Sequence, residues 1–245
     1  MKNLSKLLLF LSIVGCYDPD EYEINPRKQN NDILIFSKQE VTPDADGFSI
    51  TVLTAGIPLN SDLDKREIKF TCSTGSFADN GSRSLSQVAN EPVDLGGAIG
   101  EKLVTYVRFR SSLDIISSRI TASIGGVEKY LYLNFNRVPP QQLNVTTPSF
   151  SLDSGYNNQI VITALAKRDH GLPTLNEPIL FSVTDTSPNY HALGYLSQNI
   201  ALTDTAGSAR TIFTAGNSPY KGLLIVKAVA LNNASVSDTT IVQLH

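Results

Sequence analysis

Tryptophan is absent from this sequence, methionine occurs only at position 1, and there are three histidines and two cysteines in 245 residues. Two Cys allow at most one disulfide and so no disulfide framework. No two histidines among His170, His191 and His245 show metal spacing, and no serine lies in a nucleophile-elbow context. Nothing in the composition points to a catalytic group or a cofactor. A long stretch of helical period is also missing, as is an apolar run of the roughly 20 residues that a membrane helix needs.

What is present begins at the N-terminus. Met1 to Lys6 carries two lysines and no acid, and Leu7 to Val14 is apolar except for Ser12. These are the charged and apolar parts of an export signal. The run ends in Ile13-Val14-Gly15-Cys16, which resembles the lipobox of bacterial lipoprotein signal peptides. That resemblance implies cleavage after residue 15, lipid on Cys16 and attachment to a membrane; the plainer reading is a secretory signal with a chance Cys. Tyr17 to Glu23 then places Asp18, Asp20, Glu21 and Glu23 in seven residues with no periodicity. Such a stretch stays extended as a tether. It resembles the acidic export signal of Gram-negative surface lipoproteins, which implies an outer-membrane, cell-surface address; a solvated spacer is the alternative. Loss of residues 1–15 removes Lys2 and Lys6 and no acid, leaving 18 basic and 23 acidic residues and a net charge of −5. A mildly acidic surface argues against nucleic acid as a partner.

From residue 33 onward short runs rich in Val, Ile, Thr, Phe and Tyr alternate with clusters of Gly, Asn, Asp and Pro. The pattern predicts an all-β chain. Seven strands are expected over 33–40, 47–55, 66–73, 82–88, 102–110, 116–124 and 127–136. Seven more are expected over 147–153, 158–166, 178–185, 199–205, 208–215, 222–231 and 235–244. Between the sets, Pro139-Pro140 cannot serve a central strand and reads as a linker. The domain division is therefore 1–15 signal peptide, 16–32 tether, 33–137 first sandwich, 138–146 linker and 147–245 second sandwich.

The halves repeat. Glu67 to Cys72 falls on Pro178 to Val183, and Arg119 to Ser123 on Ile225 to Val229, as two copies of one sandwich would. In this register Cys72 takes the place of Val183, on the same face as Phe70, so it is expected in the core. The stretch Leu202-Thr203-Asp204-Thr205-Ala206-Gly207-Ser208, with Pro178 to Val183 and Phe70 to Phe77, resembles bacterial Ig-like domains of the invasin and intimin type. The likeness implies two tandem immunoglobulin-like sandwiches after the lipoprotein signal peptide and flexible tether. It departs between Asn80 and Gly100, where a longer Gly-rich segment replaces the Asp-Gly hairpin.

Asp44-Ala45-Asp46-Gly47 has carboxylates spaced like the start of a calcium loop, but Ser49 and Ala55 stand where an EF-hand needs Gly and Glu. A polar turn is the simpler account. No metal or cofactor is predicted, and no enzymatic activity.

In a seven-strand sandwich, the loops after strands one, three and five gather with the C-terminus at the end opposite the chain's entry. In the second half these are 153–157, 186–198 and 216–221, which hold Tyr156, Tyr190, His191, Tyr195 and Tyr220. Exposed tyrosine supplies broad contact area with a polar end, which suits a host or neighbouring-cell protein or glycan. Tyr195 above all is the ring that could instead fold back over the sandwich. Two functions fit: an adhesion or ligand-presenting module, or an accessory subunit of an outer-membrane uptake or assembly complex.

Overall fold

The computed structural model describes residues 34–38, 40–97, 99–186 and 193–245. Cys16 and the acids at 18, 20, 21 and 23 lie outside these residues, as do Tyr190 and His191.

The first half forms nine strands: β1 (Ile35–Lys38), β2 (Ile50–Pro58), β3 (Glu67–Cys72), β4 (Ser76–Phe77), β5 (Ser84–Val88), β6 (Glu91–Asp94), β7 (Glu101–Arg110), β8 (Ser118–Ile124) and β9 (Val127–Leu133). One sheet runs β1-β2-β7-β4 with β6 also on β7, and the other β5-β3-β8-β9. The second half has β10 (Gln142–Thr146), β11 (Ser151–Leu152), β12 (Gly155–Lys167), β13 (Pro178–Asp185), β14 (Tyr195–Leu196), β15 (Ile200–Leu202), β16 (Ser208–Gly216), β17 (Gly222–Ala230) and β18 (Ser237–Leu244). Its sheets run β10-β12-β16-β14 and β11-β18-β17-β13-β15. The chain is all-β, and its two halves are immunoglobulin-like sandwiches in tandem.

Alternation builds both cores. In β3 Ile68, Phe70 and Cys72 point inward between Glu67, Lys69 and Thr71. In β13 Ile179 and Phe181 do the same. The internal repeat is visible in the pairing: Phe70 faces Ala122 across β3 and β8, and Phe181 faces Ala228 across β13 and β17. Cys72 faces Ile120 where Val183 faces Val226. Cys72 is a free thiol inside the first core. Burial pushes its pKa up to about 11, so it stays protonated and inert.

Four short strands depart from the expected pattern. β4 and β14 are two-residue strands that dock on β7 and β16. β6 lies in the Gly-rich segment that replaces the hairpin, and pairs with β7. The segment expected to be a linker is a strand over half its length, because Gln142–Thr146 pairs as β10 with Thr163–Lys167 of β12. The expected strand over 147–153 shrinks to β11, which pairs in parallel with Gln243 and Leu244.

The hairpin between β15 and β16 is built as its sequence implies. Asp204 Oδ1 accepts from the backbone N–H of Ala206 and of Ser208, both at 2.9 Å, and Gly207 takes a φ of 75°. These two backbone hydrogen bonds hold the Asp204 carboxyl below its ordinary pKa.

The sandwiches meet at a bonded junction. The loop from Arg168 to Glu177 grips two loops of the first half: Leu172 N–H donates to Asp46 O at 3.0 Å, Leu175 N–H to Leu113 O at 2.8 Å, and the Thr174 hydroxyl to Ala45 O at 3.1 Å. Asp46 organises the other side. Its Oδ1 accepts from Phe48 N–H at 2.8 Å, Ser49 N–H at 2.7 Å and the Ser111 hydroxyl at 3.0 Å, and Oδ2 from the Ser49 hydroxyl at 3.0 Å. Burial pushes the Asp46 pKa up, yet these hydrogen bonds outweigh it and the carboxyl sits below its ordinary value. Gly171, with a φ of 69°, lies so near Asp46 that a Cβ there would stand 2.9 Å from Asp46 O. Opposite, wholly buried Glu177 accepts from Arg137 at 3.3 Å and from Asn232 at 3.0 Å. The turn at Asp44 to Gly47 is thus a clasp between sandwiches, with the Asp46 carboxylate occupied by protein donors.

Candidate functional site

At the far end of the second sandwich the predicted loops come together. Ser154 N–H donates to His245 O at 2.9 Å, Lys221 Nζ to the Ser154 hydroxyl at 2.7 Å, and the Thr186 and Tyr220 hydroxyls lie 3.4 Å apart. The chain's three crossings of this end therefore form one cluster with the C-terminus. It lies opposite the junction, since β10, which follows the junction, pairs at Gln142 with Lys167 while Gly155 at the other end of β12 faces Gly216.

The tyrosines behave differently from one another. Tyr156 is 69% exposed, at an irregularity in the β12–β16 ladder between Gly155 and Gln159. Tyr195 is 60% exposed, so its ring stands outward at this end and does not fold back over the sandwich. Pairing of β14 with Thr214 and Phe213 turns Leu196 toward the core and leaves the Tyr195 ring outside. Tyr220 folds back instead: it packs against the second core and donates its hydroxyl to Leu223 O at 3.0 Å. Tyr156 and Tyr195 flank β16, on β12 and β14 respectively.

Sequence reasoning missed one ring at this end. Phe150 is 71% exposed, and its carbonyl accepts from Gln243 N–H beside the C-terminus. It falls inside the strand expected over 147–153, where alternation would bury every second residue; the Thr147-Pro148-Ser149 turn is the signal that the strand starts later. The result is an end carrying three exposed rings in or next to paired strands, a geometry for contacting a surface rather than enclosing a small molecule.

Chemistry of other kinds finds little footing among the described residues. No group of three or more His, Cys, Asp or Glu is placed to hold a metal ion. A cleft of about 390 Å³ at the entry end of the first sandwich is lined by Ile57, Pro58, Asp62, Lys65, Glu67 and Val127. Its Asp62 carboxylate accepts from Lys65 at 2.7 Å, and that hydrogen bond and charge hold its pKa down.

Fold and site together define a class: tandem immunoglobulin-like sandwiches, joined by a bonded junction, with exposed aromatics at one end. Among solved structures the chain is similar to the Yersinia pseudotuberculosis adhesin InvE, at 16% identity and a TM-score of 0.51, over 88% of this chain and 59% of that one. It is similar also to invasin, a bacterial integrin-binding protein, at 14% identity and a TM-score of 0.56, over 86% of this chain and 39% of invasin. The chain thus spans less than two thirds of either protein, and the likeness is one of fold. No protein-family model and no curated protein matches the sequence.

Proposed function

We propose that this chain is a surface adhesion module: a lipoprotein anchored through Cys16, carried past the membrane by the acids at 18, 20, 21 and 23, and presenting the far end of its second sandwich to a host or neighbouring-cell protein or glycan. The observation that carries the reading is the outward placement of Tyr156, Tyr195 and Phe150 on the end that the junction holds away from the chain's entry. Bonds across the junction let the sandwiches move as one body, so the tip stands off from the tether by about 70 to 80 Å at roughly 3.4 Å per strand residue. The fold shared with InvE, an adhesin, and invasin, an integrin-binding protein, supports the same role.

A second reading has its own observation. Ile200, Leu202 and Ile241 are about half exposed on the outer face of the β11-β18-β17-β13-β15 sheet. A sheet face of this kind suits docking in a larger outer-membrane complex.

Radioactive palmitate and protease added to whole cells test the proposal. Cys16→Ser abolishes labelling while Cys72→Ser leaves it intact, and neutralising the four acids protects the chain from protease without altering labelling. Undiminished labelling of Cys16→Ser refutes the anchor. Recovery of a stoichiometric membrane partner with the wild-type chain favours the subunit reading.

A further inference from the structure

We infer that the outer face of the first sandwich, at Arg119, Tyr130 and Tyr132, is a separate binding surface for carboxylate-bearing sugar chains. This goes beyond the tip and does not depend on it.

The two-residue turn Gly125-Gly126 sets the β8–β9 register, in which Arg119 faces Tyr132 and Thr121 faces Tyr130. Alternation sends Ile120 and Ala122 into the core, so these four residues share the solvent face. The Tyr130 and Tyr132 rings meet edge to face at 5.8 Å and 76°, and the Arg119 guanidinium carbon lies 4.4 Å from the Tyr130 ring centre. Tyr132 is 46% exposed. Among the described residues no acid forms an ion pair with Arg119, so its guanidinium is held in place by a ring alone.

Three features select the ligand. A guanidinium already immobilised over an aromatic loses little freedom on binding, and its forked donors match a carboxylate. The exposed Tyr132 ring presents a negative π-face to which the weakly positive C–H face of a pyranose is attracted. Local charge is basic on an acidic chain: Lys38 Nζ sits 3.2 Å from Tyr132 O, and the face's acid on β9, Glu128, lies four residues away.

An acidic peptide fits less well. Peptides gain affinity on sheets by adding a strand to an edge. β9 is an edge, but Lys129 points to the inner side of the sheet and Lys38 occupies the Tyr132 carbonyl, both of which oppose strand addition. Burial lowers the Lys129 pKa, in keeping with that inward placement.

Titration calorimetry of the full chain at low salt tests the inference, with oligogalacturonate, sialyllactose, dextran and polyglutamate as probes. At least one of the two acidic sugars binds and dextran does not. Arg119→Gln and Tyr132→Ala each weaken that binding by at least about tenfold, Arg119→Lys fails to restore it, and Tyr195→Ser leaves it unchanged. Unaltered melting temperatures confirm that the variants fold. Failure of both acidic sugars to bind, or binding that survives both substitutions, overturns the inference. So does polyglutamate binding as tightly with the same sensitivity, which would assign the surface to acidic proteins. Because the tip variant is carried in parallel, failure here leaves the adhesion reading intact.

Discussion

The two sandwiches share a strand order and a Phe–Ala pair, yet they fill their cores differently. In the first, Phe36, Phe70, Phe77, Phe109 and Phe135 form a chain of rings with neighbouring centres 6.0 to 6.3 Å apart. The second has only Phe181 and Phe213, with Ala164, Ala201, Ala209, Ala215, Ala228 and Ala230 among its buried residues. One fold is thus satisfied by a ring stack or by small side chains under two rings, as expected where total volume and patterning matter more than identity. What the copies keep in common is the alternation and the cross-strand pair at their centre.

The largest effects should come from breaking that pair. Phe70→Ala and Phe181→Ala each cost about 3 to 5 kcal/mol, with Phe70 at the upper end because its ring also meets Phe36 and Phe77. Denaturant unfolding monitored sandwich by sandwich checks this, and equal losses would show that the ring chain adds nothing beyond burial.

Next comes the junction. Asp46→Ala removes an acceptor of four hydrogen bonds and should cost about 2 to 3 kcal/mol, and it should let the sandwiches move independently in small-angle scattering. Since the folded pKa of Asp46 is depressed, its contribution is complete above the ordinary value of 3.8 and is lost as pH falls through the lower folded value. A junction whose stiffness does not fall as the Asp46 carboxyl is titrated from pH 6 downward to protonation would contradict this.

Smaller effects sharpen the repeat. Cys72→Val, which copies Val183 of the other half, should change stability by less than about 1.5 kcal/mol. The native thiol should resist labelling at pH 8, as a group pushed up to about 11 must; rapid labelling would show that the first core is open. Tyr220→Phe removes the bond to Leu223 O and costs about 1 kcal/mol, whereas Tyr156→Ser and Tyr195→Ser should cost under about 0.5 kcal/mol each.

Much of the fold was legible because alternation and turn residues are local. The hairpin at Asp204 to Gly207, the burial of Phe70 and Cys72, and the match between β3–β8 and β13–β17 all follow from residues close in sequence. β4, β14 and β6 were not legible: they are two to four residues long and are defined by docking on β7 or β16. β10 was hidden by the adjacent Pro139-Pro140, a pair that no central strand accommodates and that makes the residues after it look like linker. The role of Asp46 was hidden for a different reason, since its loop is gripped by residues 171–175, more than 100 positions away. That Tyr220 rather than Tyr195 packs back on the core was not legible, because the two-residue strand that orients Tyr195 is defined by docking on β16. The Arg119–Tyr132 register, by contrast, was available from Gly125-Gly126 once that pair is read as a two-residue turn.

Adhesion of whole cells displaying the chain tests the functional account most directly, comparing wild type with the Tyr156→Ser, Tyr195→Ser double variant at equal surface amounts. The account predicts that attachment to the natural surface falls by at least about tenfold while the melting temperature is unchanged. Undiminished attachment would contradict it and make this end of the second sandwich merely the end of the chain.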